Sequence, residues 1–112
     1  MSYKFLLTPT FEKQIKRFLK KYPHIIDDLD NFKKDFLTGR VKSNAIPGCG
    51  GKIYKTRIKS TDITKGKRGG YRLIYYLEKD IIIFLTIYVK PEKKDITAKE
   101  IKTILKEIGL EI

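Results

Sequence analysis

The chain has 112 residues, 41% of them hydrophobic and 34% charged, which fits one globular domain over residues 1–112 and argues against disorder. Its formal net charge is +12, which points to a polyanionic partner: nucleic acid first, an acidic protein second, a membrane surface third. The apolar run IIIFLTIYV is too short to span a bilayer, MSYKFLLTPTF lacks a secretory-signal pattern, and one cysteine leaves no internal disulfide, so a cytoplasmic protein is expected.

In chain order, SYKFLL (residues 2–7) is a short strand candidate. TPTFEKQIKRFLKKYP then predicts a helix, with Thr8 as N-cap, Pro9 at its first position and an apolar stripe of Phe11, Ile15, Phe18 and Leu19. Pro23 breaks the pattern and can open a second helix, where Ile25, Leu29, Phe32 and Phe36 recur at helical spacing until Gly39 stops it. Residues 40–51, RVKSNAIPGCGG, read as a loop. KIYKTRIKS alternates as a strand does: Tyr54, Thr56 and Ile58 share one face, and Lys55, Arg57 and Lys59 share the other. TDITKGKRGG is a connector, YRLIYYLEKD a second strand with a turn at Glu78, Lys79 and Asp80, and IIIFLTIYVK a central strand covered on both faces. Pro91 ends that strand, and Asp95 or Thr97 can cap a last helix with a stripe of Ile101, Ile104, Leu105 and Ile108. The order β-α-α-β-β-β-α predicts an α+β domain, with a helical hairpin and a terminal helix packed on a small, mostly antiparallel sheet.

The charge is unevenly placed. Residues 52–72 hold eight Lys and Arg against one acid, Asp62, whereas the stretch from Leu73 to Ile112 carries seven bases and seven acids. A concentrated excess favours a polyanion-binding face, although alternating basic residues on a strand can also be a solvated face or an edge guarded against aggregation.

Residue counts remove several chemistries. His24 is the only histidine, so neither a two-histidine nuclease nor a histidine metal cluster can be built, and a surface role is expected for it. Cys49 reads as a plain loop cysteine, and GCGG, lacking the Lys-Ser/Thr end of a P-loop, as a tight turn. Acids are too sparse in the basic stretch for a two-metal carboxylate site, and no cofactor is expected. Tyr71, Tyr75 and Tyr76 read as core or rim aromatics.

What remains is Lys, Arg and Tyr. These types can cleave RNA without a metal: clustered cations stabilise the charge that develops on phosphorus, and they can lower the pKa of a neighbouring lysine. Lys55 and Arg57 share a strand face, Arg72 on the next strand can meet them, and Tyr88 and Lys90 form an i, i+2 pair at the end of the apolar strand.

PGCGGKIYKTRIK, GKRGGYRLIYYL and IIIFLTIYVKPEKKDITAKEI resemble the RelE/ParE toxin superfamily, and within it the HigB-like branch; the resemblance covers nearly the whole chain. It implies the toxin of a type II toxin–antitoxin system: an endoribonuclease that cleaves mRNA, usually at the A site of translating ribosomes, and that a cognate antitoxin neutralises. Family active-site bases fall on Lys55 and Arg57, the family arginine on Arg72, and the strand-end lysine on Lys90. Pro91 and Thr97 stand where RelE has an arginine and a tyrosine, which leaves Tyr88 as the substitute acid. Lys52, Lys59, Lys65, Lys67 and Arg68 are expected to guide RNA phosphates. The ParE side of the superfamily inhibits DNA gyrase instead, and a non-catalytic RNA- or ribosome-binding module is a third reading.

Overall fold

The computed structural model describes residues 3–63, 70–90, 92–93 and 95–111. Its elements are β1 (Lys4–Leu7), α1 (Pro9–Leu19), α2 (Ile25–Leu37), β2 (Ser43–Ala45), β3 (Ile53–Ile58), β4 (Tyr71–Glu78), β5 (Ile81–Val89) and α3 (Ala98–Lys106). They form one five-stranded sheet in the order β1-β5-β4-β3-β2, antiparallel throughout except where β1 runs parallel to β5. The α+β architecture is as expected, with one strand more. Ser43–Ala45, inside the stretch read as loop, pairs with Tyr54–Thr56. Three residues are too few to show an alternation in sequence.

The sheet is covered on both faces. On one, the hairpin of α1 and α2 buries Phe11, Phe18, Ile25 and Phe32 against Tyr71, Leu73, Ile82 and Phe84. Aromatic rings fill much of that layer, with Phe32 edge-on to Tyr75 and to Phe84. On the other, Ile101, Ile104 and Leu105 of α3 close over Ile53, Ile74, Ile83 and Leu85. The central strand is therefore apolar throughout because both of its faces are covered.

Helix boundaries follow local chemistry. The Thr8 hydroxyl accepts from Phe11 N–H at 3.0 Å and donates to the Leu85 carbonyl at 2.7 Å, so the cap of α1 is also a tie to β5. Thr97 caps α3 in a capping box with Glu100, which leaves Asp95 outside the helix and available elsewhere.

Two expectations need correction. Leu19 is 39% exposed rather than part of the buried stripe, since it lies at the last turn of α1, beyond the packed face. Ile108 lies past the end of α3 and is only partly buried. Cys49 lies in a loop as expected, and its side chain is fully buried among Ile53, Ile74 and Tyr76. Tyr71, Tyr75 and Tyr76 are core aromatics. Among the described residues no helix is long and apolar enough to cross a membrane.

Candidate functional site

The candidate cations and tyrosine meet through strand register. In β3–β4 pairing Arg57 stands opposite Arg72, and in β4–β5 pairing Arg72 stands opposite Tyr88. Directly opposed residues point to the same side of a sheet, so the three side chains form a row across three strands, with Lys55 two residues along β3 on that side. Two like charges directly across a strand pair cost stability. Arg57 and Arg72 are thus brought side by side on the α3 side of the sheet.

Tyr88 reaches the row only because β5 is irregular. Ile74 pairs with Thr86 but Tyr75 pairs with Phe84, so Leu85 is an extra residue in β5. Ahead of this bulge Ile82 and Phe84 face the helical hairpin; after it Ile87 and Val89 do, and Tyr88 turns to the α3 side. Strict alternation would have put Tyr88 beside Phe84, under the hairpin. Gln14 of α1 holds the irregularity: its side-chain carbonyl accepts from Ile87 N–H at 2.9 Å, and its amide exchanges hydrogen bonds of 2.8 and 3.1 Å with the Thr86 hydroxyl.

Arg72 and Tyr88 are buried, at 8% and 6% exposure, whereas Arg57 is exposed and Lys55 half-buried. Burial pushes the Tyr88 phenol up to about 12, the Asp95 carboxylate adds to the rise, and the charge of Arg72 opposes it. Asp95 joins the site from the segment before α3: its Oδ1 lies 3.5 Å from Lys55 Nζ and 3.5 Å from the Tyr88 hydroxyl. A hydrogen bond from Ile96 N–H and the Lys55 ammonium hold the Asp95 carboxyl below the usual carboxylate range. The sequence reading had Asp95 as a possible helix cap and missed this role; its one usable signal was that Thr97 with Glu100 is the stronger capping pair.

The remaining expected site residues are the catalytic candidate Lys90 and the RNA-binding set. Lys52 lies at the opposite end of β3 from Arg57, paired with Glu78 at 2.8 Å. Lys59 is exposed just past β3, and Lys90 is exposed just past β5. Lys65, Lys67 and Arg68 fall outside the described residues. The single acid of the basic stretch, Asp62, turns away from the row: its carboxylate accepts from His24 N–H at 2.9 Å and meets the His24 ring at 2.8 Å. That contact raises the His24 pKa and lowers that of Asp62. Asp28 accepts from Thr61 N–H and hydroxyl, so Thr61 and Asp62 are both fastened to the start of α2. Among the described residues no group of three His, Cys, Asp or Glu side chains is placed to hold a metal ion.

The buried phenols carry a pH consequence. Tyr71 is pushed up to about 12 by burial, as Tyr88 is. Below pH 10 both phenols are protonated in either state; between about pH 10 and 12 only the unfolded chain releases the protons. Stability contributed by each, about 2 to 3 kcal/mol, is thus present below pH 10 and lost as pH rises through 12. Urea midpoints measured from pH 9 to 12 should fall, and less steeply for Tyr88→Phe. Equal slopes for the two proteins would contradict the assignment.

The chain matches the model of the family described as "RelE toxin of RelE / RelB toxin-antitoxin system" over residues 11–111, a span that includes Lys55, the Arg57–Arg72–Tyr88 row and Asp95. This chain belongs to the RelE family of toxins from toxin–antitoxin systems.

Proposed function

We propose that the protein is a metal-independent endoribonuclease of the HigB-like branch that cleaves mRNA on translating ribosomes in the cytoplasm; the Tyr88-x-Lys90 strand ending supports the branch. The observation that carries the reading is the lateral row of Arg57, Arg72 and Tyr88 with Lys55 beside it. An RNA phosphate seated on the row meets two guanidiniums and an ammonium, which stabilise the charge gained as the 2′-oxygen, its proton passing to solvent water, attacks phosphorus and the bond to the 5′-oxygen breaks. Arginine suits this task, because its fork of donors matches phosphate geometry. Tyr88 keeps its proton at neutral pH, its phenol being pushed up to about 12, and can give it to the departing 5′-oxygen. That oxygen leaves as an alkoxide more basic than a phenolate, so the transfer runs downhill. Lys55, ion-paired with Asp95, acts as a charge stabiliser, and Asp95 keeps it turned toward Tyr88. Lys90 and the connector residues Lys65, Lys67 and Arg68 bind flanking phosphates. A cognate antitoxin neutralises the protein by covering this cationic face.

Brief expression from a tight promoter, with mRNA 5′ ends mapped across the transcriptome, tests the reading. New ends inside translated codons are expected within minutes. Intact mRNA with loss of negative supercoiling would move the protein to gyrase inhibition, and growth arrest with neither would leave a binding module.

A further inference from the structure

The site described so far lies on the α3 side of the sheet, yet Arg57 also lines a second concavity. β2 pairs with β3 only from Tyr54 to Thr56, so Arg57 and Ile58 lie beyond the end of that pairing. Beyond that end a cleft of about 820 Å³ runs between β3 and the C-terminal half of α2. Five cations line it: Lys34 from α2, Arg40 and Lys42 from the segment that follows, and Arg57 and Lys59 from β3 and its continuation. All five are exposed. The cleft has two carboxylates, and one of them, Asp28, is taken up by Thr61 N–H and hydroxyl at 2.9 and 2.5 Å. Lys34, Arg40 and Lys42 lie far in sequence from the basic stretch of residues 52–72, so no charge count along the chain groups them with it.

We propose that this cleft is a second RNA-binding site, a track that receives the strand on one side of the scissile phosphate and hands it to the row through Arg57. The proposal rests on the ribonuclease reading above. Arg57 belongs to both surfaces, so a strand leaving the row at that residue passes into the cleft without crossing a region of opposite charge. Residues two apart on an extended strand are separated by about 7 Å, which puts Arg57 and Lys59 within reach of neighbouring phosphates of an extended RNA. Lys42 and Arg40 also line the cleft, and Asn31 offers a neutral hydrogen-bonding group to sugars or bases. An extended single strand fits such a track better than a duplex, since a cleft bounded by a helix and a sheet admits one backbone.

The test uses a fully 2′-O-methylated 12-nucleotide RNA of mixed sequence, which cannot be cleaved, and follows its fluorescence anisotropy between 50 and 300 mM KCl. Three proteins are compared: the unaltered chain, Lys34→Ala/Arg40→Ala/Lys42→Ala, and a charge-matched control, Lys13→Ala/Lys16→Ala/Lys20→Ala, on the exposed side of α1. Each phosphate contact to a single strand contributes about 0.7 to the slope of log K against log salt. The cleft variant should therefore lose about 2 from its slope, and the control much less than 1. Circular dichroism checks that both remain folded, and the single variant Lys42→Glu gives a second reading should the triple variant fail that check: it must lose at least 0.7. Equal losses in cleft variant and control would reduce the effect to net charge and overturn the proposal. An unchanged RNA slope with weakened binding of poly-L-glutamate would assign the cleft to an acidic protein segment, which also overturns it. A failure of the ribonuclease reading is seen separately, as absence of cleavage of an unmodified RNA by the unaltered protein with ribosomes present, whatever the slopes. No binding of the 12-mer by the unaltered chain at 50 mM KCl would overturn the track.

Discussion

Arg72→Ala is expected to abolish growth inhibition and to slow mRNA cleavage by about 10²–10³, the rate equivalent of roughly 2.7 to 4 kcal/mol of lost charge stabilisation in the transition state. Arg72 is the middle member of the row, opposite Arg57 on one side and Tyr88 on the other, and the most buried of its cations. Its removal leaves the backbone pairing of β3, β4 and β5 in place, and circular dichroism checks that the variant is folded. The fold should therefore survive where the activity does not. Arg72→Lys keeps the charge but not the two-pronged geometry, and should fall between the two proteins in cleavage rate. The phenol gives an internal check: Arg72 opposes the rise in the Tyr88 pKa, so Arg72→Ala should move the phenol's titration further upward. A folded Arg72→Ala protein that remains fully toxic would remove Arg72 from the proposed site.

What the sequence made legible, and what it did not, divides along physical lines. Lys55, Arg57 and Arg72 could be grouped from sequence, because period-2 alternation on one strand and the nearness of a second are local features. The placement of Tyr88 could not be derived that way. It depends on the extra residue Leu85, whose cause is a glutamine 71 positions earlier reaching across from α1, as Gln14 does to Ile87 and Thr86. Asp95 was equally hidden, since an acid just before a helix reads as a cap until a better cap is seen beside it. Cys49 looked like turn material among glycines, yet the sheet needed an apolar group beneath Ile53 and Ile74, and a small thiol filled the space. Local patterns give elements and faces; register shifts and loop-to-sheet contacts come from residues far apart in sequence.

The second large effect is on stability, at the point where the connector meets the row. Gly70 has φ of 123°, a conformation that side-chain-bearing residues rarely adopt, and its Cα faces the Ile58 carbonyl so closely that an added Cβ would overlap the oxygen. Backbone on both sides fixes the conflict, because Ile58 is the last residue of β3 and is paired with Tyr71, the first residue of β4. Neither side can yield without breaking ladder bonds. Gly70→Ala should therefore cost about 3 kcal/mol or more, lowering the melting temperature of a chain this size by roughly 15 °C. Gly39→Ala separates the two causes. Gly39 also has positive φ, 72°, but nothing lies within 4 Å of its added Cβ, so it should lose only about 1 kcal/mol. Displacement of the start of β4 also moves Arg72, two residues on, so folded Gly70→Ala protein should itself cleave poorly: added stabiliser that restores its fold should leave cleavage below that of the unaltered chain. Equal melting temperatures for the two glycine variants would show that the close approach of Gly70 to Ile58 does not constrain the fold.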